Sequence, residues 1–415
     1  MRGSQYLAVL RMIYKNKNKR YMILVLGTLV QFCYGLAYVW SVFQPYARER
    51  FSLDTAEANL PFGIFLALFT VGNLAGGYLQ KRWNTVFIII TGSTVMCLGL
   101  LATAYVPPFD GWLLNFTFGA ISGFGCGCAY NTLLATMQKW FPDKRGMVTG
   151  IIVCSAGLFG LIMNPIANHF LVNYGFKVAL TTIAAILLLI CITCGWAVKP
   201  PAESYMSEYK PVNIPVTNKQ YNIKEMVRTK QYYIIAFTFM LAVPPYMLIN
   251  PMLVSLGTER GLTTGEALLG VMLASVLNAA GRLLLPWISD TLGRKPILMV
   301  LFLINMGIVL LLSFATGYLF LLLVCCIAFA YGGFMGIYPA MNADYFGVKN
   351  AGMNYGVVML GYAISSIGCP YLMKAVEKTP MGTPLSFVIA AIASIVGLAL
   401  LTRLYKPNAE KSILY

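Results

Sequence analysis

Leu268-Leu-Gly-Val-Met-Leu-Ala-Ser-Val-Leu-Asn278-Ala-Ala-Gly-Arg282-Leu-Leu-Leu-Pro-Trp-Ile-Ser289 is an apolar run of transmembrane length with one charge inside it. Arg282 lies eight residues before Asp290, where the helix should leave the bilayer. Eight residues span about 12 Å, which reaches toward the middle of a hydrocarbon core about 30 Å thick. An Arg held there costs from about 3 kcal/mol on insertion scales to above about 10 in simulations, so it should face protein or a watery cavity. The rest of the sequence must supply what offsets that cost.

The whole chain shares the character of this run. Its 415 residues are 59% hydrophobic and 11% charged, with a mean hydropathy of +0.72. A soluble domain carries about 25% charged residues, so the composition points to an all-α polytopic membrane protein. The net charge of +16 would raise the question of nucleic acid in a soluble protein. Here it collects in loops, and membrane topology explains it without a nucleic-acid partner.

Twelve apolar runs read as spans. Six cover residues 21–46, 60–79, 86–105, 112–137, 147–172 and 178–198, and six more cover 232–256, 268–289, 297–315, 318–341, 353–373 and 385–401. Between the sixes, residues 199–230 carry Pro200, Pro201, Pro211, Pro215 and mixed charges, which marks a linker. The expected domains are therefore a six-helix bundle over 1–198, a cytoplasmic linker over 199–230 and a second bundle over 231–415. With the N-terminus in the cytoplasm, 23 Lys and Arg fall on that side and 6 on the other, leaving Arg282 between them. The positive-inside rule puts both termini and the linker in the cytoplasm. The basic N-terminus runs into an apolar stretch too long for a signal-peptide core, so the first run is expected to be a retained helix.

The halves repeat in parallel. Phe141 and Pro165 each lie 205 residues ahead of Phe346 and Pro370. A parallel repeat of six-helix units fits a two-bundle transporter with a midplane site between its halves.

Several motifs carry a resemblance. Gly281-Arg282 through Asp290-Thr-Leu-Gly293-Arg294-Lys295 resembles the loop signature of the major facilitator superfamily, and its counterpart near Gly72 to Arg82 departs from it with Gln80 where the family usually has Asp. Tyr38-Val-Trp40-Ser41-Val-Phe43, Trp140-Phe141-Pro142-Asp143-Lys144-Arg145-Gly146, and Tyr345-Phe346-Gly347 followed by Asn354-Tyr355-Gly356 look like the oxalate/formate antiporter and monocarboxylate transporter branch. The resemblance covers nearly the whole chain. It implies twelve helices in two bundles and transport, not catalysis, with Arg282 at the position of an Arg that binds a substrate carboxylate. The oxalate exchanger of that branch adds a Lys at the position of Tyr362. One fixed cation in place of two points to a monocarboxylate such as lactate, pyruvate or formate.

The residues bear on that site directly. A carboxylate is gripped bidentately by the planar fork of Arg, and all 14 acidic residues fall in loops or at span ends. Asn278 shares the Arg282 face. Tyr34 and Tyr38 in the first span, Tyr130 in the fourth, Tyr331 and Tyr338 in the tenth and Tyr362 in the eleventh could donate hydroxyls to a carboxylate, and Gln31 lies seven residues before Tyr38. An Arg bonded only to helix carbonyls or tyrosines, holding the bundle together, remains the alternative. Asp290, Gly293 and Arg294 of the loop signature are candidates for a conformational role. So are Pro244 and Pro245, which with Pro251 must interrupt the seventh span. Glycines at four-residue spacing, Gly72 and Gly76, then Gly119, Gly123 and Gly127, predict close helix packing.

Other chemistry finds little support. Cys191 and Cys194 have CxxC spacing without a second pair, so packing is expected and no metal site. His169, the only His, is read as interfacial. No cofactor and no nucleotide-binding run is expected, so ATP-driven pumping is not supported. The sequence thus predicts a monomeric multi-pass plasma-membrane transporter for a small carboxylate, working by antiport or proton-linked symport. An oxalate/formate exchanger, a drug or solute exporter and a non-transporting sensor stay as alternatives.

Overall fold

The computed structural model describes residues 19–80, 82–141, 145–201, 220–347, 350–377, 379–380 and 382–405. Most of the expected linker, residues 202–219, lies outside them, as do the basic segment 1–18 and Lys144, Lys349 and Lys378.

Every regular element among the described residues is a helix. Among the described residues nine helices are long and apolar enough to cross a membrane, and the bent pair Lys19–Cys33 and Leu36–Phe51 makes ten. The 49-residue stretch Met147–Gly195 is two spans, divided at Gly175, whose φ of 79° breaks the helix. A π-helix Asn115–Ser122 running into the α-helix Gly123–Trp140 is the remaining one. This gives twelve, matching the apolar runs. They are numbered here in chain order.

Caps set the ends that hydropathy cannot. Span 8, Thr264–Leu292, begins four residues before its apolar run because Thr263 and Glu266 form a reciprocal capping box. It ends at Gly293, where a φ of 92° turns the chain. Span 10, Gly317–Phe346, ends the same way at Gly347 with φ 87°. Span 8 is inverted relative to a soluble helix: Leu283, Leu284 and Trp287 are exposed, whereas Asn278, Arg282 and Ser289 are buried. That is the pattern of a helix in lipid, with its polar stripe turned toward protein.

Three spans depart most from straight helices, and spans 5 and 11 are each briefly broken, at Leu158 and Met359. Span 1 bends by 42° around a 3-10 turn, Leu36–Val39. The bend lies where Gly35 presses on span 5, since a Cβ at Gly35 would collide with the Ala156 carbonyl and the Phe159 side chain. Span 7 is interrupted as its prolines require, into Lys230–Ala242, Pro244–Ile249, the 3-10 turn Asn250–Met252 and Leu253–Glu259. Span 4 opens with the wide π turn, which the sequence pattern did not anticipate.

The spaced glycines do what their spacing predicts. Gly72, Gly76, Gly123 and Gly127 bring spans 2 and 4 so close that a Cβ on any of them would strike the facing backbone. In the second half Gly281 and Gly332 press span 8 on span 10 in the same manner. The pairings of spans 2 with 4, 3 with 4 and 3 with 6 recur as 8 with 10, 9 with 10 and 9 with 12. Between the sixes, span 2 lies along span 11 and span 5 along span 8. Gly127→Val should therefore force spans 2 and 4 apart at the Phe69 carbonyl, at about 1–3 kcal/mol for overpacking. The expected readout is a melting temperature in detergent several degrees below that of the unaltered protein.

Candidate functional site

Arg282 lies where spans 8, 1 and 5 meet, only 4% exposed. Its Nε donates to Asn278 Oδ1 at 2.8 Å, one turn back on its own helix. A terminal nitrogen, Nη1, reaches across to the Val153 carbonyl of span 5 at 3.3 Å, and Nη2 donates to the Tyr38 hydroxyl of span 1. Asn278 in turn donates to the Tyr246 hydroxyl of span 7 at 3.3 Å. The guanidinium thus ties the second six helices to the first through neutral acceptors.

Magnitudes say what this can hold. Hydrogen bonds to a charged group contribute about 1.5–3 kcal/mol each, so three of them exceed the smaller estimates of burying an Arg and fall short of the larger. The charge itself stays uncompensated: among the described residues no carboxylate pairs with it. The three bonds use three of the five N–H groups, leaving one on each terminal nitrogen, the pair that a carboxylate takes bidentately.

An aromatic wall surrounds this fork. Tyr246 stacks on Tyr331 with ring centroids 4.1 Å apart and meets Tyr38 edge-on at 6.4 Å. The Tyr331 and Tyr362 hydroxyls are hydrogen-bonded at 2.9 Å, joining spans 10 and 11. Tyr130, Tyr331 and Tyr246 lie within electrostatic range of the guanidinium, and so do Tyr355 and Tyr362. Gln31, fully buried, lies against Tyr130. Of the residues expected at the site, the structure gathers Arg282, Asn278, Tyr38, Tyr130, Tyr331 and Tyr362, with Gln31 behind Tyr130.

Two tyrosines are not brought to Arg282. Tyr34 is bonded to Ser93 of span 3 at 2.7 Å, because the 3-10 turn between it and Tyr38 takes the two off a common face. Tyr338 stacks on Phe239 at 4.3 Å and is a packing residue of spans 7 and 10. Tyr246, Tyr355 and the Val153 carbonyl were missed. Tyr246 follows Pro244 and Pro245 directly, so the break those prolines impose is what aims it inward. Tyr355 stands in a motif that marked the family, Asn354-Tyr355-Gly356, which could have flagged it.

The loop-signature residues form a separate cluster. Arg294 pairs with Asp290 and with Asp344 of span 10 at 3.2 Å, and donates to the Pro286 carbonyl at 2.9 Å. It ties spans 8, 9 and 10 of the second half together around the Gly293 turn. In the first half Gln80 bonds Thr132 of span 4 at 3.1 Å, a neutral link in the corresponding place. His169 contacts Asn173 at 3.3 Å on its own helix, and all ten cysteines are free thiols.

Known proteins resemble this chain over most of its length. YhjX, a transporter of the superfamily from Escherichia coli K12, is 26% identical over 85% of this chain and 87% of its own. An oxalate:formate antiporter from Oxalobacter formigenes is 25% identical over 92% and 91%, and monocarboxylate transporter 12 of Xenopus laevis is 20% identical over 81% and 79%. The crystal structure of a D-xylose-proton symporter superposes with a TM-score of 0.70 over 92% of this chain and 97% of that one, at 16% identity, which speaks to the fold alone. The sequence model of the Major Facilitator Superfamily matches residues 24–367 and 235–413. The chain therefore belongs to the Major Facilitator Superfamily and is a multi-pass membrane transporter, not an enzyme.

Proposed function

We propose that this transporter carries a small monocarboxylate, with lactate, pyruvate and formate the leading candidates, and that Arg282 anchors its carboxylate. The observation that carries the reading is one buried, carboxylate-free guanidinium bonded to Asn278 in the second half and to Tyr38 and Val153 in the first. A substrate anion that displaces these neutral acceptors changes how the halves are held together. This is the coupling that alternating access needs. Tyr130, Tyr246, Tyr331 and Tyr362, all near the guanidinium, keep water from it, and a dry site strengthens the ion pair. The resemblance to an oxalate:formate antiporter favours exchange as the mode, while Tyr362 supplies a hydroxyl and no second cation for a dicarboxylate.

In this reading residues 1–198 and 231–415 are the moving bundles, joined by the linker 199–230, and the termini face the cytoplasm. Pro244 and Pro245 let span 7 flex, and Asp290, Gly293 and Arg294 keep the inner end of the second bundle rigid as it moves. The outer ends are held shut in this conformation. Lys374 of span 11 reaches Glu57 at 3.0 Å and Asp54 at 3.4 Å at the start of span 2, and Gly63 abuts the Ser366 carbonyl and Pro370. Lys374→Glu would set three acids side by side. Its expected outcome is faster reaction of the buried Cys369 with a membrane-impermeant thiol reagent, followed by peptide mass spectrometry.

Counterflow in proteoliposomes with labelled formate, lactate, pyruvate and oxalate tests the substrate class. Saturable counterflow of a monocarboxylate is expected, with oxalate a poor substrate. Uptake that needs a trans anion and survives protonophore marks exchange; collapse on protonophore without trans anion marks proton symport. Absence of counterflow for all four anions would refute the proposal.

A further inference from the structure

Among the described residues the buried amide of Asn164, in span 5, makes no hydrogen bond through either of its atoms. Asn164 is fully buried and no contact already described uses it. A buried amide with no partner costs on the order of 1–3 kcal/mol, so one that persists calls for a partner in another state.

Its place is informative. Spans 5 and 8 run antiparallel from the level where Arg282 meets Val153. Seven residues along each, about 10 Å, Gly160 meets Ser275. The Asn164 amide folds over that contact, its Nδ2 within 2.9 Å of where a Gly160 Cβ would stand. One turn beyond Asn164, Asn168 lines a cleft of about 340 Å³ together with Val42, Tyr46, Val254, Ser255 and one acid, Glu49. Two more amide nitrogens beside this cleft are buried and unpaired. Gln44 of span 1 accepts from Ser255 at 3.0 Å through Oε1 while its Nε2 has no partner, and Asn250, in the 3-10 turn that precedes the helix carrying Val254, has an unpaired Nδ2.

We propose that Asn164, Asn250 and Gln44 form a second, outer anion subsite, which a small carboxylate occupies between the cleft and Arg282. The ligand class follows from the donor set: three amide N–H groups from three spans, no cation among them, suited to holding an anion weakly enough to pass it on. As with ion pathways generally, successive moderate sites let a charge enter without trapping it. The subsite rests on the carboxylate reading of Arg282 and on its outward orientation, but it is a distinct place and can be tested apart from it.

The test uses Asn168→Cys in the cleft as reporter, labelled on intact cells by a membrane-impermeant thiosulfonate, with formate outside as the probe. At ten times its half-protecting concentration, formate should slow labelling about tenfold, the ratio expected for a single occupied site. Protection should persist when Arg282→Gln is added, survive in Asn164→Gln, and vanish in Asn164→Leu while the rate without formate stays the same. Protection lost with Arg282→Gln but kept with Asn164→Leu would assign it to Arg282 alone and overturn the subsite. Absence of protection, or a cleft cysteine unreachable from outside, would overturn it equally. The Arg282 reading fails separately, if Arg282→Gln leaves exchange intact.

Discussion

Arg282→Gln should abolish carboxylate counterflow while leaving the protein folded. Glutamine keeps a hydrogen-bonding head for Asn278 but removes the charge and the fork. Truncating one side of a buried charged pair costs about 2–5 kcal/mol, which is about thirty- to several-thousand-fold in affinity. Folding should tolerate it, because the partners left behind are a carbonyl, a hydroxyl and an amide, none of them charged. Arg282→Lys separates the two contributions of the side chain. It restores charge without the planar pair of donors, so counterflow should return only in part. A loss in Arg282→Lys that is smaller than in Arg282→Gln but still large, with both proteins monodisperse, is the expected signature of bidentate binding.

The second large effect is a change of substrate. Tyr362 stands at the end of a chain of contacts that starts at Arg282: Asn278, Tyr246 stacked on Tyr331, and Tyr331 bonded to Tyr362. Tyr362→Lys places a second cation within electrostatic range of Arg282, where a dicarboxylate could meet both. A charge-assisted pair worth about 1.5–3 kcal/mol shifts the ratio of oxalate to formate affinity by about ten- to a hundredfold. The measurement is inhibition of labelled formate exchange by oxalate in the two proteins. The buried ammonium has no acidic neighbour among the described residues, so a lower melting temperature without substrate should accompany the switch, with recovery when oxalate is present. If oxalate inhibits both proteins alike, Tyr362 does not select the number of carboxylates.

Much of this was legible in the sequence, for physical reasons. Apolar runs declare spans because lipid leaves no alternative to a helix, and Arg282 declares itself because nothing else explains the cost of putting it there. Asn278 followed from helical spacing. The tyrosines were harder. Tyr34 and Tyr38, four apart, would share a face on a straight helix, yet the 42° bend and 3-10 turn at Leu36–Val39 send one to Ser93 and the other to Arg282. Tyr331 and Tyr338 are seven apart and do share a face, but about 10 Å of rise separates them along the helix. Only Tyr331 is level with the guanidinium. Tyr246 and Tyr355 stand on short helices, Pro244–Ile249 and Ala351–Val358, set off by breaks across which periodicity carries no information. What the sequence withheld was therefore set by local departures from ideal helix, most of them at proline, at a 3-10 turn or where a glycine draws two backbones together.

Equilibrium binding of labelled formate, lactate and pyruvate to the purified protein tests whether Arg282 binds the substrate's carboxylate, without the complications of transport. Saturable binding of at least one of them to the unaltered protein is expected. Arg282→Gln should weaken that binding by about thirtyfold or more, with the melting curve unchanged in shape. Saturable binding of the same carboxylate with equal affinity in both proteins would contradict it, and would leave Arg282 as a tie between helices.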